Sequence, residues 1–427
     1  MSLEADFKTF CSNIEPDNLD EMKNTAGEIA KKLNAVYYDL EKDTTSHLYI
    51  VGSVGRNTSI KNNSDLDLIF DLPHSVYTKF DNYESNGQSA LLQEVKNHLA
   101  ERYPKTNMSG DGQVVVIEFS NYTVELVPGF KQSDDRFKYP DTHDGGSWKY
   151  TDPLSEQEEC ANAEDSSDGK YYDFCQIIRA WKNQVGFEFG GLLIDTLVYN
   201  DFKSNDYYKD EDKYYDILMS VFTYLKYCDE NQSYWFAVGS NQQVKNLNNG
   251  KFVKKAKKAL EKLENADDKN EALRELLGKD FPKETTTTYS VYASQRFRNT
   301  EQFIENMLRV DIRYDVELEC IVTQDGWRPT LLTALLRSHG ILRKNKSLDF
   351  YIARTNCPKP YDIYWKVRNV GKVAEEKDCI RGQIKMTNND HQKEHTDFQG
   401  EHYVECYLVK NNVCVAKGHI DVPISTL

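Results

Sequence analysis

Hydrophobic positions near the front of the chain follow two different periods, which predict two kinds of element. Helical spacing of Ile29 and Leu33 predicts a helix over residues 20–34, and the run at 89–102 predicts a second amphipathic helix. Shorter apolar runs predict strands, over residues 47–51, 65–72, 113–119 and 122–127. The front of the chain is therefore predicted to mix helices with a sheet.

The period changes twice further along the chain. Runs with 3.6-residue spacing predict helices, over residues 172–184, 191–202, 214–227 and 251–277, with Gly278 as the last C-cap. Beyond a polar run at 283–288, alternating residues predict strands, over 314–320, 361–367, 402–409 and 413–420, with one helix near 330–337. The predicted fold class is α+β.

These changes divide the chain into four predicted parts. Residues 1–155 form a mixed core, 156–282 a helical lobe, 283–300 a linker and 301–427 a β-rich domain. A chain of 427 residues is long enough for two or three domains.

Composition narrows the classes of protein. The net charge of −15 argues against broad, salt-driven binding to nucleic acid, so a nucleic-acid activator is not expected. No apolar run is long enough to predict a membrane span, and the first residues lack the basic and apolar regions of a signal peptide. Nine scattered cysteines with no C-x-x-C pair favour reduced thiols and a cytoplasmic protein.

Two carboxylates one residue apart mark the strand at 65–72. Side chains at alternate positions of a strand share a face, so Asp65 and Asp67 are expected to project together. Like charges this close repel unless a cation lies between them. Carboxylate oxygens suit Mg²⁺, with Mn²⁺ as an alternative. The pair therefore predicts a metal site, although an Asp-x-Asp pair alone would also fit the solvated face of an edge strand.

Two further signals favour the metal site. Gly52-Ser53 ends the preceding strand in a turn whose hydroxyl and backbone N–H groups suit a triphosphate. Glu125 lies within an apolar strand and could supply a third carboxylate, so that two metal ions would stabilise the attacking and leaving oxygens of a displacement. Glu118, on the other strand of the same predicted hairpin, is the competing candidate.

The order of these motifs resembles the polymerase-β-like nucleotidyltransferases, and more closely the bacterial cGAS/DncV-like enzymes (CD-NTases, the SMODS family). The resemblance covers roughly the first 280 residues. It is carried by Gly52-Ser53, Asp65-x-Asp67, Glu125-Leu126-Val127-Pro128, Arg179-Ala180-Trp181-Lys182 and Gly239-Ser240. Many members of the superfamily carry Asp as the third acid, so Glu125 is a departure that leaves its metal geometry open.

The end of the chain resembles the adenylyl/guanylyl and SMODS C-terminal sensor domain (AGS-C) that is often fused to such enzymes. This resemblance is carried by the stretches at 360–371, 380–384 and 400–407. It implies a small ligand for the C-terminal domain.

The enzyme resemblance implies a cyclic oligonucleotide synthase that joins NTPs, ATP and/or GTP above all, into a cyclic di- or trinucleotide and releases pyrophosphate. It also implies an effector protein activated by the product, in antiphage (CBASS) signalling of the bacterial cytoplasm. Asp65, Asp67 and Glu125 would be the catalytic metal ligands, and Gly52 and Ser53 would hold the β- and γ-phosphates.

Three more residues are candidates for nucleotide binding. Lys182 would contact the triphosphate, although it could be a surface lysine. Ser240 would contact donor phosphate or sugar, although it could belong to a simple loop. Arg56 would reach phosphate, or it could cap the Gly-Ser turn.

Two other functions stay open at the level of sequence. One is a template-free nucleotidyltransferase acting on RNA ends or protein hydroxyls, which would need a basic groove or an acceptor-binding module. The other is an inactive scaffold that binds nucleotides, against which the three intact acids argue.

Overall fold

The computed structural model describes residues 2–62, 65–283, 300–324, 328–338 and 340–425. The predicted linker at 283–300 lies almost entirely outside these residues.

The front of the chain forms a mixed sheet with flanking helices. Its helices are α1 (Leu3–Ile14), α2 (Leu19–Tyr38), α3 (Gly52–Gly55), α4 (His74–Asp81) and α5 (Gly87–Arg102). Its strands are β1 (Leu48–Ile50), β2 (Asp65–Asp71), β3 (Asn107–Asp111), β4 (Val114–Glu118), β5 (Thr123–Lys131), β6 (Phe137–Asp141) and β7 (Ser147–Thr151). The strand order β1-β2-β5-β4-β3 places β2 parallel to β5, and β6 and β7 continue from β5.

Strand β2 is amphipathic because its side chains alternate between two faces. Leu66 and Leu68 are completely buried in the core beneath the sheet, whereas Asp65 and Asp67 are half-buried on the opposite face. The alternation predicted for this strand is confirmed.

The middle of the chain is helical. Its helices are α6 (Pro153–Ser166), α7 (Lys170–Val185), α8 (Gly191–Ser204), α9 (Tyr214–Tyr227), α10 (Lys251–Glu264) and α11 (Lys269–Leu277). The short strands β8 (Tyr234–Phe236) and β9 (Gln243–Lys245) form a hairpin beside them. Phe7 and Phe10 of α1 are buried in the same core as Phe174 of α7, so the helical core also draws on the first residues of the chain.

The prediction of one helix over 251–277 was wrong, because α10 ends at Glu264 and a new helix begins at Lys269. The carboxylate of Asp268 accepts a hydrogen bond from the N–H of Glu271, at 3.0 Å, and so caps the second helix. A buried apolar stripe continues through both helices, which is why periodicity alone did not reveal the break.

The end of the chain forms two packed sheets. Its strands are β10 (Arg309–Val310), β11 (Val316–Thr323), β12 (Thr330–Leu331), β13 (Ser347–Thr355), β14 (Asp362–Arg368), β15 (Arg381–Met386), β16 (His391–His395), β17 (Gly400–Lys410) and β18 (Val413–Ile424), and its helices are α12 (Leu332–Arg337) and α13 (Lys372–Glu376). One sheet has the order β10-β18-β17-β14-β15 and the other β12-β11-β13-β16. Phe350 and Trp365, one from each sheet, are buried in the shared core.

Within the part of the chain that the structure describes, no helix is long and apolar enough to cross a membrane.

Candidate active site

The predicted carboxylates lie on neighbouring strands. Asp67 on β2 stands opposite Glu125 on β5 in a parallel register, and Asp65 stands opposite Thr123. Because parallel strands in register place equivalent side chains on one face, Asp65, Asp67 and Glu125 share the half-buried face of the sheet.

Gly52 is required by the close approach of the turn to Asp67. The residue adopts φ +63°, and a Cβ atom built there would lie 1.8 Å from the Asp67 carboxylate oxygen Oδ2. The N–H of Val51 donates to the carbonyl of Asp67 at 2.9 Å and fixes the start of the turn. The Gly-Ser turn therefore packs directly onto the candidate metal ligand, and a larger residue at position 52 would displace the Asp67 side chain and strain the backbone.

The competing third acid has other partners. Glu118 on β4 accepts hydrogen bonds from the side-chain amides of Asn107, at 2.6 Å, and Asn411, at 3.2 Å. Glu125 instead contributes to the electrostatic field at both Asp65 and Asp67. The geometry favours Glu125 over Glu118.

Burial, together with the charges of nearby carboxylates, disfavours full ionisation of Asp65 and Asp67. Burial, followed by the charges of neighbouring carboxylates, raises the pKa of Asp65 to about 7 despite the opposing effect of Arg313. Burial and the charge of Glu125 raise the pKa of Asp67 to about 6. A bound cation would relieve this repulsion.

The donors suit a hard divalent ion in kind, since carboxylate oxygens are the ligands that Mg²⁺ and Mn²⁺ prefer. Among the described residues, however, no group of three His, Cys, Asp or Glu side chains is gathered closely enough to hold an ion. One carboxylate has another partner, because the guanidinium Nη2 of Arg313 lies 2.5 Å from Asp65 Oδ2.

A cavity of about 350 Å³ opens beside the carboxylates. Its walls come from the front sheet, the helical lobe and the C-terminal domain: Gly52, Ser53, Asp65 and Asp67 from the first, Lys182 and Asn183 from the second, and residues 310–313 from the third. The cavity thus joins most of the predicted site residues to a segment that sequence reasoning did not single out.

Lys182 lies in this cavity, near the C-terminal end of α7, and is almost completely buried. Its Nζ donates to the carbonyl of Ile312 at 2.7 Å and lies 3.6 Å from the carboxylate of Asp311. Burial lowers the pKa of Lys182, and the charge of Asp311 opposes that effect. Lys182 is therefore not a surface lysine, and its role at a triphosphate stays a prediction.

Arg56 also lines the cavity, but its guanidinium belongs to a buried network. Its Nε donates to Asp195 at 2.9 Å and its Nη1 to Glu156 at 3.1 Å. Arg179 donates to both oxygens of the same Asp195 carboxylate, from Nη1 at 2.5 Å and from Nη2 at 2.9 Å. The network links Arg56, the residue after α3, to α6, α7 and α8. The geometry therefore supports a role for Arg56 in positioning the Gly-Ser turn.

Ser240 joins the same network from the other side. Its hydroxyl donates to Glu156 Oε1 at 3.0 Å, and it is not among the described residues that line the cavity. Contact of Ser240 with the nucleotide stays a prediction that this arrangement does not favour.

Sequence reasoning missed Asp195 and Glu156 as members of the site. A signal for Asp195 was present, because it is a single acid within the apolar run Leu193-Ile194-Asp195-Thr196-Leu197. A charged residue in a buried stretch of helix needs a partner, so this position would have predicted an internal ion pair. Arg313 carried no such signal.

Two known domain families match the chain. Residues 1–163 match the Second Messenger Oligonucleotide or Dinucleotide Synthetase domain. Residues 298–425 match the Adenylyl/Guanylyl and SMODS C-terminal sensor domain.

Individual proteins are similar over parts of the chain. A probable cyclic nucleotide synthase of Bacillus cereus (strain VD146) is 24% identical over 151 residues, which span 34% of this chain and 45% of that relative. Among solved structures, the Escherichia coli MS115-1 CdnC:HORMA-deltaN complex has a TM-score of 0.50 at 14% identity, covering 66% of this chain and 98% of the other. The structure of E. coli MS115-1 CdnC with ATP has a TM-score of 0.49 at 15% identity, covering 65% and 98%. The first of these structures shares the polymerase-β-like fold over 66% of this chain.

Proposed function

Because the chain belongs to the cGAS/DncV-like nucleotidyltransferases and carries their C-terminal sensor domain, we propose that it joins nucleoside triphosphates into a cyclic oligonucleotide. The observation that carries this proposal is the alignment of Asp65, Asp67 and Glu125 on adjacent parallel strands, with the Gly52 turn packed against Asp67. ATP and GTP are the proposed substrates, and a cyclic di- or trinucleotide is the proposed product.

Each step of the reaction transfers a nucleotidyl group. A ribose hydroxyl oxygen forms a bond to the α-phosphorus and gives up its proton to water. The bond from that phosphorus to the oxygen that bridges it to the β-phosphorus breaks, and pyrophosphate leaves with the electron pair of that bond. Catalysis of this kind depends on positioning and on neutralising charge rather than on covalent chemistry by the protein. The last such step joins the two ends of the product and closes the ring.

The residues divide this work between them. Asp65, Asp67 and Glu125 would hold Mg²⁺ or Mn²⁺, which when bound supplies positive charge to the phosphate oxygens. Gly52 and Ser53 would hold the β- and γ-phosphates, since only a glycine allows the turn to lie so close to Asp67. Lys182 would donate to the triphosphate from the wall of the cavity, and Arg56 would keep the turn in place.

The cellular setting belongs to the same proposal. The nine cysteines are all unpaired thiols, which supports a reducing cytoplasm. We propose that the product activates an effector protein in bacterial antiphage defence.

A cavity of about 430 Å³ between the sheets of the C-terminal domain is the candidate site for a small ligand. Phe350, Val404 and Arg381 are among the residues that line it.

The test is to incubate the purified chain with mixed NTPs and Mg²⁺, remove linear products with phosphatase, and identify the resistant products by mass. A cyclic product is expected. Pyrophosphate release only after addition of RNA or protein would favour a template-free transferase instead, and no release under any condition would favour an inactive scaffold.

Substitution of the carboxylates assigns the chemistry to this site. The double variant Asp65→Asn, Asp67→Asn and the single variant Glu125→Gln should each lower pyrophosphate release by at least about 100-fold, because several kcal/mol of charge stabilisation is lost. Glu118→Gln is the matched control on the neighbouring strand, and it should stay within about threefold of the unaltered chain. Equal losses for Glu118→Gln and Glu125→Gln would contradict the assignment of the third acid.

A further inference from the structure

A short segment of the C-terminal domain reaches into the candidate active site. The cleft segment, Val310–Arg313, begins at the last residue of β10 and lines the same cavity as Asp65 and Lys182. It is tied to the edge of the C-terminal sheet, because the N–H groups of Asp311 and Arg313 donate to the carbonyls of Cys414, at 3.0 Å, and Val415, at 2.9 Å. The position of this segment is therefore set by the C-terminal domain.

The cleft segment binds two charged groups that the proposed reaction needs, the carboxylate of Asp65 and the ammonium of Lys182. Arg313 lies 2.5 Å from the Asp65 carboxylate, where positive charge is required during catalysis. Lys182, the proposed triphosphate ligand, donates to the Ile312 carbonyl at 2.7 Å and lies 3.6 Å from the Asp311 carboxylate. The segment thus presents an anionic group to the lysine and a cation to the aspartate, as a nucleotide with its metal would.

Specific hydrogen bonds hold the segment in the cleft. The side-chain oxygen of Asn183 accepts from the N–H of Ile312 at 3.0 Å, and its amide nitrogen donates to the Val310 carbonyl at 3.4 Å. Just beyond the segment, Asp315 accepts from the N–H of Glu188 at 3.1 Å and lies 3.3 Å from Lys251 Nζ. The side chain of Asn183 thus binds backbone groups on both sides of Asp311, which fixes the position of the segment along the cleft.

The ion pair between Arg313 and Asp65 is also partly exposed to solvent. Arg313 and Arg56, which both line the cavity, each bind two carboxylates: Arg313 binds Asp65 and Asp311, and Arg56 binds Glu156 and Asp195. They differ in exposure, because the Arg313 side chain is 34% exposed and that of Arg56 is 6% exposed. A partly exposed ion pair contributes less free energy than a fully buried one, so another cation can displace it more readily.

We propose that the cleft segment is an autoinhibitory element by which the C-terminal domain excludes the metal and the nucleotide from the site. The inference rests on the proposed function and adds its regulation. In the structure described, Arg313 satisfies Asp65 and the Ile312 carbonyl satisfies Lys182. Activation requires the segment to leave together with the edge of its sheet.

The experiment measures binding in the full chain, not only turnover. The variant Arg313→Ala removes the competing cation, and Asn183→Ala loosens the segment without changing a proposed metal or phosphate ligand. The probes are Mn²⁺, followed by the paramagnetic resonance of the free ion, and a non-hydrolysable ATP analogue, followed by calorimetry. Arg343→Ala is the matched control, because Arg343 is an exposed arginine of the same domain that does not line the cavity.

Both variants should bind the two probes more tightly. If the blocked arrangement holds about nine-tenths of the molecules, its removal tightens apparent affinity about tenfold. In the unaltered chain, addition of Mn²⁺ and the analogue should speed hydrogen exchange at residues 310–315. The control should change neither quantity.

Two outcomes would overturn the inference. Weaker binding by Arg313→Ala would mean that this arginine is a ligand of the nucleotide rather than a block, and unchanged binding in both variants would mean that the segment does not compete. Product formation is measured separately. Tighter binding by the two variants without any cyclic product would support autoinhibition and contradict the proposed function. Formation of a cyclic product with unchanged binding would support the proposed function and contradict autoinhibition.

Discussion

Two carboxylates in different parts of the molecule, Asp195 and Glu405, are each buried between two cations. Asp195, in the helical lobe, is completely buried and accepts from Arg56 and Arg179 at 2.5 to 2.9 Å. Glu405, in the C-terminal domain, is 6% exposed and lies 3.3 Å from both Lys366 and Lys417. Burial opposes the ionisation of both acids, but the cations outweigh it and hold both pKa values below the ordinary range.

The difference lies in the kind of cation. Arginine is always charged and its planar fork binds a carboxylate through two parallel hydrogen bonds, whereas lysine is a flexible point charge. The Asp195 cluster is therefore rigid, and it fixes the Gly-Ser turn at the candidate active site. The Glu405 cluster includes a titratable neighbour, since His419 Nδ1 lies 3.6 Å from the carboxylate. It also meets the helical lobe, where Lys417 donates to the Gln184 carbonyl at 3.3 Å.

The comparison predicts the largest loss of stability at Asp195. Asp195→Ala leaves two buried guanidinium groups without their shared carboxylate, which should cost about 3–5 kcal/mol in the free energy of unfolding of the helical lobe. Urea denaturation, with hydrogen exchange in α7 and α8 to locate the effect, measures it. Asp267→Ala, at an exposed aspartate between α10 and α11, is the control and should change stability little. A loss for Asp195→Ala no larger than that of the control would remove the distinction between the two clusters.

A smaller loss is expected at Glu405. Glu405→Gln removes the charge between the two lysines, but Lys366 keeps an ion pair with Glu301 at 3.0 Å. The expected cost is about 2–3 kcal/mol, with faster hydrogen exchange in β17 and β18. Glu401→Gln, at an exposed position of the same strand, is the control. Should Glu405→Gln prove as costly as Asp195→Ala, the lysine cluster would be as rigid as the arginine cluster.

The smallest effect is a pH dependence above neutrality, which His419 gives to the Glu405 cluster. Burial lowers the pKa of His419, but hydrogen bonds to Asp421 and Glu405 outweigh it and raise the pKa to about 9. A base whose pKa is raised by folding stabilises the folded state fully below its unfolded pKa of about 6.5, and the contribution is lost as the pH rises to about 9. Because His419 is 40% exposed, the contribution should stay below about 1 kcal/mol.

Comparison of His419→Gln with the unaltered chain measures this contribution. The difference in their free energies of unfolding should be largest below pH 6.5 and should vanish as the pH rises above 9. A difference that is constant across this range would show that His419 does not titrate with the cluster.

Sequence patterns predicted the local elements well wherever one face of the element is buried. The alternation of Asp65, Leu66, Asp67 and Leu68 predicted both the strand and the face that carries the acids. In the C-terminal domain, alternation along β14 places Trp365 and Lys366 on opposite faces of the strand, and Trp365 is buried in the core. Lys366 is buried as well, because its own face of the strand is covered by Tyr403 and Phe303 and its charge is paired with Glu301. Periodicity identifies the two faces of a strand but not what covers the second one.

The same limit applies to the candidate site. Its carboxylates and its glycine turn could be read from short motifs, because their chemistry depends on spacing within one or two elements. The partners of Arg56, Lys182 and Ser240 could not, because each partner comes from a distant part of the chain. Whether a polar side chain faces a substrate or another residue depends on contacts that no local pattern encodes.

The sequence by itself determined the carboxylate pair, the face of the strand that carries both acids and the Gly-Ser turn before them, since these follow from side-chain period and from the residue types in the turn. Only the tertiary structure decided that Arg56 and Asp195 hold the turn and that Arg313 contacts Asp65. Those contacts join residues that are far apart along the chain, and they form only because packing of the sheet, the helices and the C-terminal domain brings buried charges close enough to require partners.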